Sequence, residues 1–516
     1  MRSSSILAVC AVLSFSMPAL ADTPAASKMA QQIDSRLAQA WQSAGLTPAA
    51  PASDAEFLRR VRLDLTGIIP SVIEVREFLK DDDPDKRRRS VDRLLDTRRT
   101  PRHATHLATL WKNVMLPEQA NVRRFGGDAG FQNWLRGQFL RNVPYDQTVS
   151  EVLLATGAAN QNSPALFYTA LELKPEDIAA STSRIFLGTQ IQCAQCHDHP
   201  FDHWKQADFW SYAAFFARVK RVRTSPQSVE EVAEGDVKKP GSDEVVPPGF
   251  LNGELSPDDD SRTRRERLAG WITSRDNPYL PRATVNRVWA LLFGRGLVNP
   301  IDDFGDHNPP THPELLDDLA KYFIETDFDL QQLFRTLTYT QAYQLSSEFT
   351  SVSEDDAELF ARMSIKTLSA EQLYDCLLEG MRRANATNPT TARLGSGRND
   401  PVKTAFLAKF RAPTQGSTEY QAGIPQSLSL MNGDLIRRAT DRNQSDLLRA
   451  LDAPFFTDER RVEVLFLSTL SRKPTPTEAD KFVSYVKSGG VTDDRRAALS
   501  DVLWALLNSA EFILNH

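Results

Sequence analysis

Ser53-Asp-Ala-Glu-Phe-Leu-Arg-Arg-Val-Arg-Leu-Asp-Leu-Thr-Gly67 carries the pattern that decides the fold class. Ser53 with Glu56 three residues later is a capping box, in which two side chains satisfy the free amides that open a helix. Phe57, Leu58, Val61 and Leu65 then recur at helical spacing, which predicts a helix with one apolar face. The same signals repeat along the chain. Ser71-Val-Ile-Glu74 follows Pro70 and opens a helix bearing Val75, Phe78 and Leu79. Asp85 to Leu95 reads as a third. Thr311-His-Pro-Glu314 caps the run Leu315, Leu316, Leu319 and Phe323. Thr475-Pro-Thr-Glu478 caps another, and Arg495 to Leu514 reads as one long amphipathic terminal helix. Alternating strand patterns are scarce, Glu244 to Val246 being one of few, and no repeat of solenoid period recurs. The expected class is mainly α: two helical domains with long irregular loops and little β.

A length of 516 residues allows two to four domains at roughly 150 residues each. With 41% hydrophobic and 25% charged residues the chain can fill sizeable cores. Its 61 basic and 67 acidic residues leave a formal charge of −6, so no basic excess points to nucleic acid. Lys86 to Arg89 lies beside Asp81 to Asp83 and reads as a solvated helix face. Between Val222 and Arg262, Ser225-Pro, Lys239-Pro-Gly, Pro247-Pro-Gly and Asp258-Asp-Asp crowd a stretch poor in large apolar residues. The expected partition is a signal peptide over 1–21, a first domain over 30–221, a linker or irregular excursion over 222–261, and a second helical domain over 262–516. Asn385 to Asp400 reads as a surface loop or flap.

The N-terminus reads as an export signal. Arg2 supplies the positive region, Ile6 to Leu20 the apolar region, and Ala19-Leu20-Ala21 the cleavage site before Asp22. No later segment reaches transmembrane length. The expectation is a periplasmic or secreted protein with no membrane span after cleavage. Cys193, Cys196 and Cys376 then remain, an odd count that argues against a disulfide scaffold. Cys376, within Leu373-Tyr-Asp-Cys-Leu-Leu378, reads as a buried, inert thiol.

The chemically pointed segment is Ile191-Gln-Cys-Ala-Gln-Cys-His-Asp-His-Pro-Phe-Asp-His-Trp204. Cys193, Cys196 and His197 form CxxCH, the attachment sequence of haem c. Thiols at that spacing can add to the two vinyl groups, and the following histidine is placed under the iron. Phe201, Trp204, Phe209, Trp210, Tyr212, Phe215 and Phe216 follow; they can wall a macrocycle or fill a helix core. His103, His106 and Met115 are the candidate sixth ligands. A second reading is a metal site without haem, such as zinc, drawing on His197, His199, His203, Asp198 and Asp202. A third is a redox-active or structural CxxC disulfide.

Farther along, Asp302, Asp303, Asp306, His307 and His312 share one Gly/Pro-interrupted loop. Carboxylates with histidines can bind a divalent cation or supply acid–base groups; they can equally cap turns. Arg287 lies on a helix whose stripe is Val285, Val288 and Leu292, and reads as a buried ion-pair partner. The sequence contains no Gly-x-Ser-x-Gly elbow, Walker loop, dinucleotide fingerprint or metalloprotease helix motif.

Phe57 to Gly67 with Pro70, Asn142-Val-Pro-Tyr-Asp146 and the cysteine segment as far as Trp204 resemble a known domain. Asn286-Arg-Val-Trp-Ala290, Phe293-Gly-Arg-Gly-Leu297, His312-Pro-Glu-Leu-Leu316, Ala342-Tyr-Gln344, Gln426-Ser-Leu428 and Leu470-Ser-Arg472 resemble a second. Together they resemble a two-domain family of planctomycetes and verrucomicrobia. In it a planctomycete cytochrome-like domain (PSCyt) precedes a planctomycete-specific domain (PSD), both of unknown function. The resemblance implies haem c at Cys193, Cys196 and His197, and an association with the use of complex polysaccharides. Three functions are therefore expected side by side: a c-type haem redox or electron-transfer protein, a non-haem metal-dependent periplasmic enzyme, or a non-catalytic binding or assembly protein with a structural CxxC. The partners expected are a periplasmic redox protein or glycan-processing proteins.

Overall fold

The computed structural model describes residues 23–117, 127–161, 163–225, 228–255, 261–348, 358–381, 401–410 and 433–516. The expected signal peptide and the Asn385 to Asp400 loop lie outside the described residues. The first half is helical: α1 (Thr23–Ala44), α2 (Asp54–Thr66), α3 (Val72–Lys80), α4 (Lys86–Leu95), α5 (Arg102–Met115), α6 (Ala129–Leu140) and α7 (Tyr145–Leu153). In α3 both halves of the Ser71–Glu74 capping box form. In α2 only one does. Ser53 Oγ accepts from Glu56 N at 3.2 Å, but the Glu56 carboxylate turns away to accept from Arg60 at 2.7 Å and Ser347 N at 2.9 Å.

The reason is that α2 is buried on more than its apolar face. Phe57, Leu58, Val61 and Leu65 pack as expected, yet Arg59 and Arg60 are 1% and 0% exposed. Arg59 donates to Thr469 O (2.9 Å) and Phe512 O (2.9 Å), and Arg60 to Tyr343 O (2.6 Å) and Leu345 O (2.9 Å). A guanidinium has five donors in a rigid fork, so it can satisfy carbonyls left open at chain turns and helix ends. Two charged residues thus make α2 a central strut.

After β1 (Gly157–Ala158) come α8 (Leu166–Ala170), α9 (Pro175–Thr182), α10 (Gln206–Ala213) and β2 (Val219–Arg221). The stretch from Val222 to Arg262 carries β3 (Ser228–Glu231), which pairs antiparallel with both β1 and β2, and the ribbon of β4 (Val237–Lys238) with β5 (Val245–Val246). Arg265 of α11 (Arg264–Ile272) ties this stretch down, bonding Glu231 Oε2 (2.9 Å) and Ala155 O (2.9 Å). No described strand exceeds four residues, and the protein is mainly α.

The second half opens with α11, α12 (Tyr279–Phe293), α13 (Pro313–Glu325) and α14 (Leu330–Tyr339). Two local expectations are corrected here. Thr311 does not cap α13: His312 occupies the N-cap without a capping bond, because the Thr311 hydroxyl donates to Leu297 O at 3.2 Å. The terminal helix is broken as well. Arg495–Leu507 ends at Asn508, and the Ser509 hydroxyl starts a separate turn, Ala510–Ile513, by accepting from Phe512 N at 3.2 Å. The chain then closes as β7 (Leu514–Asn515), paired with β6 (Lys366–Thr367). One hydrophobic core runs from Ala26 to Phe512, so the two halves share their interior. No described helix is long and apolar enough to cross a membrane.

Candidate functional site

The CxxCH segment is built on the end of α9. That helix runs on as a π turn, Ser183–Leu187, closed by Gly188 at φ 69°. Single π turns recur at functional sites because they displace the side chains that follow. A 3₁₀ turn, Gln192–Gln195, then carries the first cysteine. α10 clamps it from the other side: Trp210 Nε1 donates to Gln195 O (3.0 Å) and Gln206 Nε2 to Cys196 O (2.8 Å). Cys193 and Cys196 are exposed and free, whereas Cys376 is buried and its thiol pushed up to about 12 by burial.

His197 is exposed, with Nδ1 2.7 Å from Asp198 O. Nδ1 therefore carries the proton and donates, which leaves the Nε2 lone pair free. Asp198 is committed elsewhere. Its carboxylate accepts from Gln206 N at 3.0 Å at the start of α10 and lies 3.3 Å from Lys205 Nζ. That backbone bond first, then Lys205, hold its carboxyl below the usual range. The aromatic run is largely core: Trp204, Phe209, Tyr212, Phe215 and Phe216 are buried, and Phe201 alone is strongly exposed, at 76%. The candidate sixth ligands are also used in packing. His103 Nδ1 donates to Leu65 O (2.7 Å), His106 abuts Gly67 at the end of α2, and Met115 is buried.

The loop after α12 arrives beside this segment through the π turn. Phe304 N donates to Gly188 O at 2.9 Å, and a Cβ on Gly188 would come within 2.7 Å of the Phe304 ring. Arg184 Nη1 lies 3.0 Å from Asp302 Oδ2, and buried Arg287 donates to Ile185 O at 2.7 Å. Arg287 Nη2 also lies 3.8 Å from Asp302 Oδ2, so Asp302 is a structural anion for two arginines. His312 is buried apart from the loop tip, with Nδ1 3.1 Å from the Thr311 hydroxyl, and burial lowers its pKa.

The remaining candidates converge. Asp202 Oδ1 lies 2.7 Å from His203 Nδ1, and Asp202 Oδ2 lies 3.8 Å from His307 Nδ1. His307 Nε2 lies 3.3 Å from Asp303 Oδ2, and His203 Nδ1 lies 3.9 Å from Asp306 Oδ2. The His199 ring is 6.4 Å from that of His307. Of the residues singled out, Asp202, His203, Asp303, Asp306 and His307 therefore meet, with His199 adjacent. His197, Asp198, Asp302 and His312 do not join them. Gly305, Gly188 and Arg184 make this meeting possible and carry no motif; the visible trace was the glycine inside Asp303-Phe-Gly-Asp306.

Residues 32–221 match the family described as PSCyt2, protein of unknown function (DUF1549). Residues 264–392 match PSD1, protein of unknown function (DUF1553). The chain belongs to the PSCyt2–PSD1 two-domain family. A search of curated proteins and of solved structures found no match. In these terms the CxxCH segment, Asp202 and His203 come from the PSCyt2 region, and Asp303, Asp306 and His307 from the PSD1 region.

Proposed function

We propose that the protein is an exported c-type haem protein that transfers electrons for a periplasmic or secreted partner, in the service of extracellular polysaccharide use. The observation that carries this reading is the donor set. Cys193 within one 3₁₀ turn and Cys196 just past its end are exposed, unpaired thiols, and His197 leaves Nε2 free because Nδ1 is held by Asp198 O. Those residues fit the group: the two thiols would hold haem as thioethers and His197 would ligate its iron. Bound there, haem supplies one-electron chemistry.

The chain's own contribution is positioning. Gln206 and Trp210 fix the carbonyls of Gln195 and Cys196, so the two cysteines and the histidine keep their relative places. The exposed ring of Phe201 is the apolar surface that the segment offers, the other aromatics lying mostly in the core. A hydrogen bond on the far nitrogen of a ligating histidine sets its tautomer and raises its basicity, which is the role of Asp198 O. The export signal read at Arg2 to Ala21 supports the compartment in which haem c is attached.

The test is an absorbance spectrum of the protein made with haem-attachment machinery, before and after dithionite. A Soret band that survives acid–acetone extraction, and is lost in Cys193→Ala/Cys196→Ala, is expected. A featureless spectrum from folded protein overturns the reading.

A further inference from the structure

We infer that Asp202 and His203 of the PSCyt2 region, with Asp306 and His307 of the PSD1 region, form a site for one divalent transition-metal ion that ties the two regions together, independently of haem. The donor atoms of Asp202, His203 and Asp306 all lie within 4.8 Å of one another. Ligand atoms at about 2.1 Å from one ion stand about 3.4 Å apart in a tetrahedral shell, so side-chain closure of about an ångström brings the set onto one ion. His307 Nδ1 is 3.8 Å from the same Asp202 carboxylate, and Asp303 orients the opposite edge of that ring from 3.3 Å. A carboxylate hydrogen-bonded to the outer nitrogen of a ligating histidine is the usual support of such a site. The His203 ring is steadied against Trp204, with centroids 4.2 Å apart.

Two further observations point the same way. The Asp202 side chain is only 3% exposed, yet among the described residues its ion-pair partners are imidazoles. Among the described residues Asp303 and Asp306 likewise have histidine as their ion-pair partner. The neighbouring cations are spent elsewhere: Arg184 and Arg287 on Asp302, and Lys205 on Asp198. A buried carboxylate needs a compensating charge, and a divalent ion supplies one. The second observation is Gly305. A Cβ there would lie 2.4 Å from Asp202 Oδ2 and 2.7 Å from His307 Nδ1, so the two strands of the site approach as closely as only glycine allows. Two imidazoles with carboxylates select zinc, iron or manganese over calcium, which prefers an all-oxygen shell.

The experiment uses the full chain made without haem, stripped with chelator and titrated with Zn²⁺, with bound metal counted by elemental analysis. One zinc per chain is expected. Asp202→Asn and His307→Gln, one from each region, should each weaken binding by about tenfold or more. Gly305→Ala should do the same. Asp198→Asn and Cys193→Ala/Cys196→Ala should bind as the parent does. Should Asp202→Asn fail to fold, His307→Gln at the partly exposed edge decides the matter. Substoichiometric zinc, equal binding by His307→Gln, or binding lost with the two cysteines overturns the site. Zinc is counted here in protein without haem, whereas the haem reading is decided by the absorbance spectrum of the parent, so the two readings fail separately.

Discussion

Lys366 Nζ donates to Asp64 Oδ1 at 2.7 Å inside the protein, joining the β6–β7 pair to α2. The side chains are 16% and 5% exposed. Lys366 also donates to Leu292 O (2.7 Å), while Asp64 accepts from Tyr343 OH (2.8 Å) and Asn515 Nδ2 (2.7 Å). Burial lowers the Lys366 pKa, and Asp64 opposes that shift. The pair is fully served by hydrogen bonds, the condition under which an interior ion pair is tolerated.

Breaking it from one side leaves a buried carboxylate without its cation. Lys366→Met should cost about 3–5 kcal/mol of unfolding free energy. Adding Asp64→Asn to that variant should recover part of the loss, since the orphaned charge goes with it. Urea denaturation of the parent, single and double variants checks both, and a loss under about 1 kcal/mol for Lys366→Met contradicts the assignment.

His103 and His106 make stability depend on pH. Burial lowers the His103 pKa to about 4 and the His106 pKa to about 3 from an ordinary 6.5. Both are neutral in the folded state, and the unfolded chain takes up their protons first. Their contribution is present in full above pH 6.5 and is lost as pH falls toward 4. One pKa unit is worth about 1.4 kcal/mol, so His103 accounts for about 3 kcal/mol across that window. His103→Gln, which keeps a donor for Leu65 O, should lose less stability than the parent between pH 7 and pH 5. Parallel profiles for the two proteins contradict this.

The three thiols described should fall into two classes. In protein made without haem-attachment machinery, Cys193 and Cys196 should react with a disulfide reagent in the native state. Cys376, fully buried with its thiol pushed up to about 12, should react only after denaturant is added. Thiol counting before and after unfolding distinguishes the classes. Native-state reaction of all three contradicts the packing around Cys376.

Much of this protein was legible where the signal is local. Ser71 with Glu74 and Thr475 with Glu478 close their capping boxes because each needs only its own helix turn. The helical class follows from such signals, and the CxxCH spacing marks Cys193, Cys196 and His197 with no tertiary information. Local reading failed where a distant partner competed for the same group. Glu56 leaves its box for Arg60 and Ser347, Thr311 leaves its helix for Leu297, and the terminal helix yields to a cap at Ser509.

The helical grammar and the chemical character of the two candidate segments are thus written locally in the residues. Packing alone brings those segments together. Asp202 reaches His307 because Gly188 admits Phe304 and Gly305 admits both side chains. It also decided which charged residues are interior, since Arg59 and Arg60 look like solvent-facing positions until helix ends from elsewhere in the chain present carbonyls to them. Capping and periodicity are written within a few residues of chain. Convergence and burial are properties of packing, where a contact is set by whichever distant group fills the space.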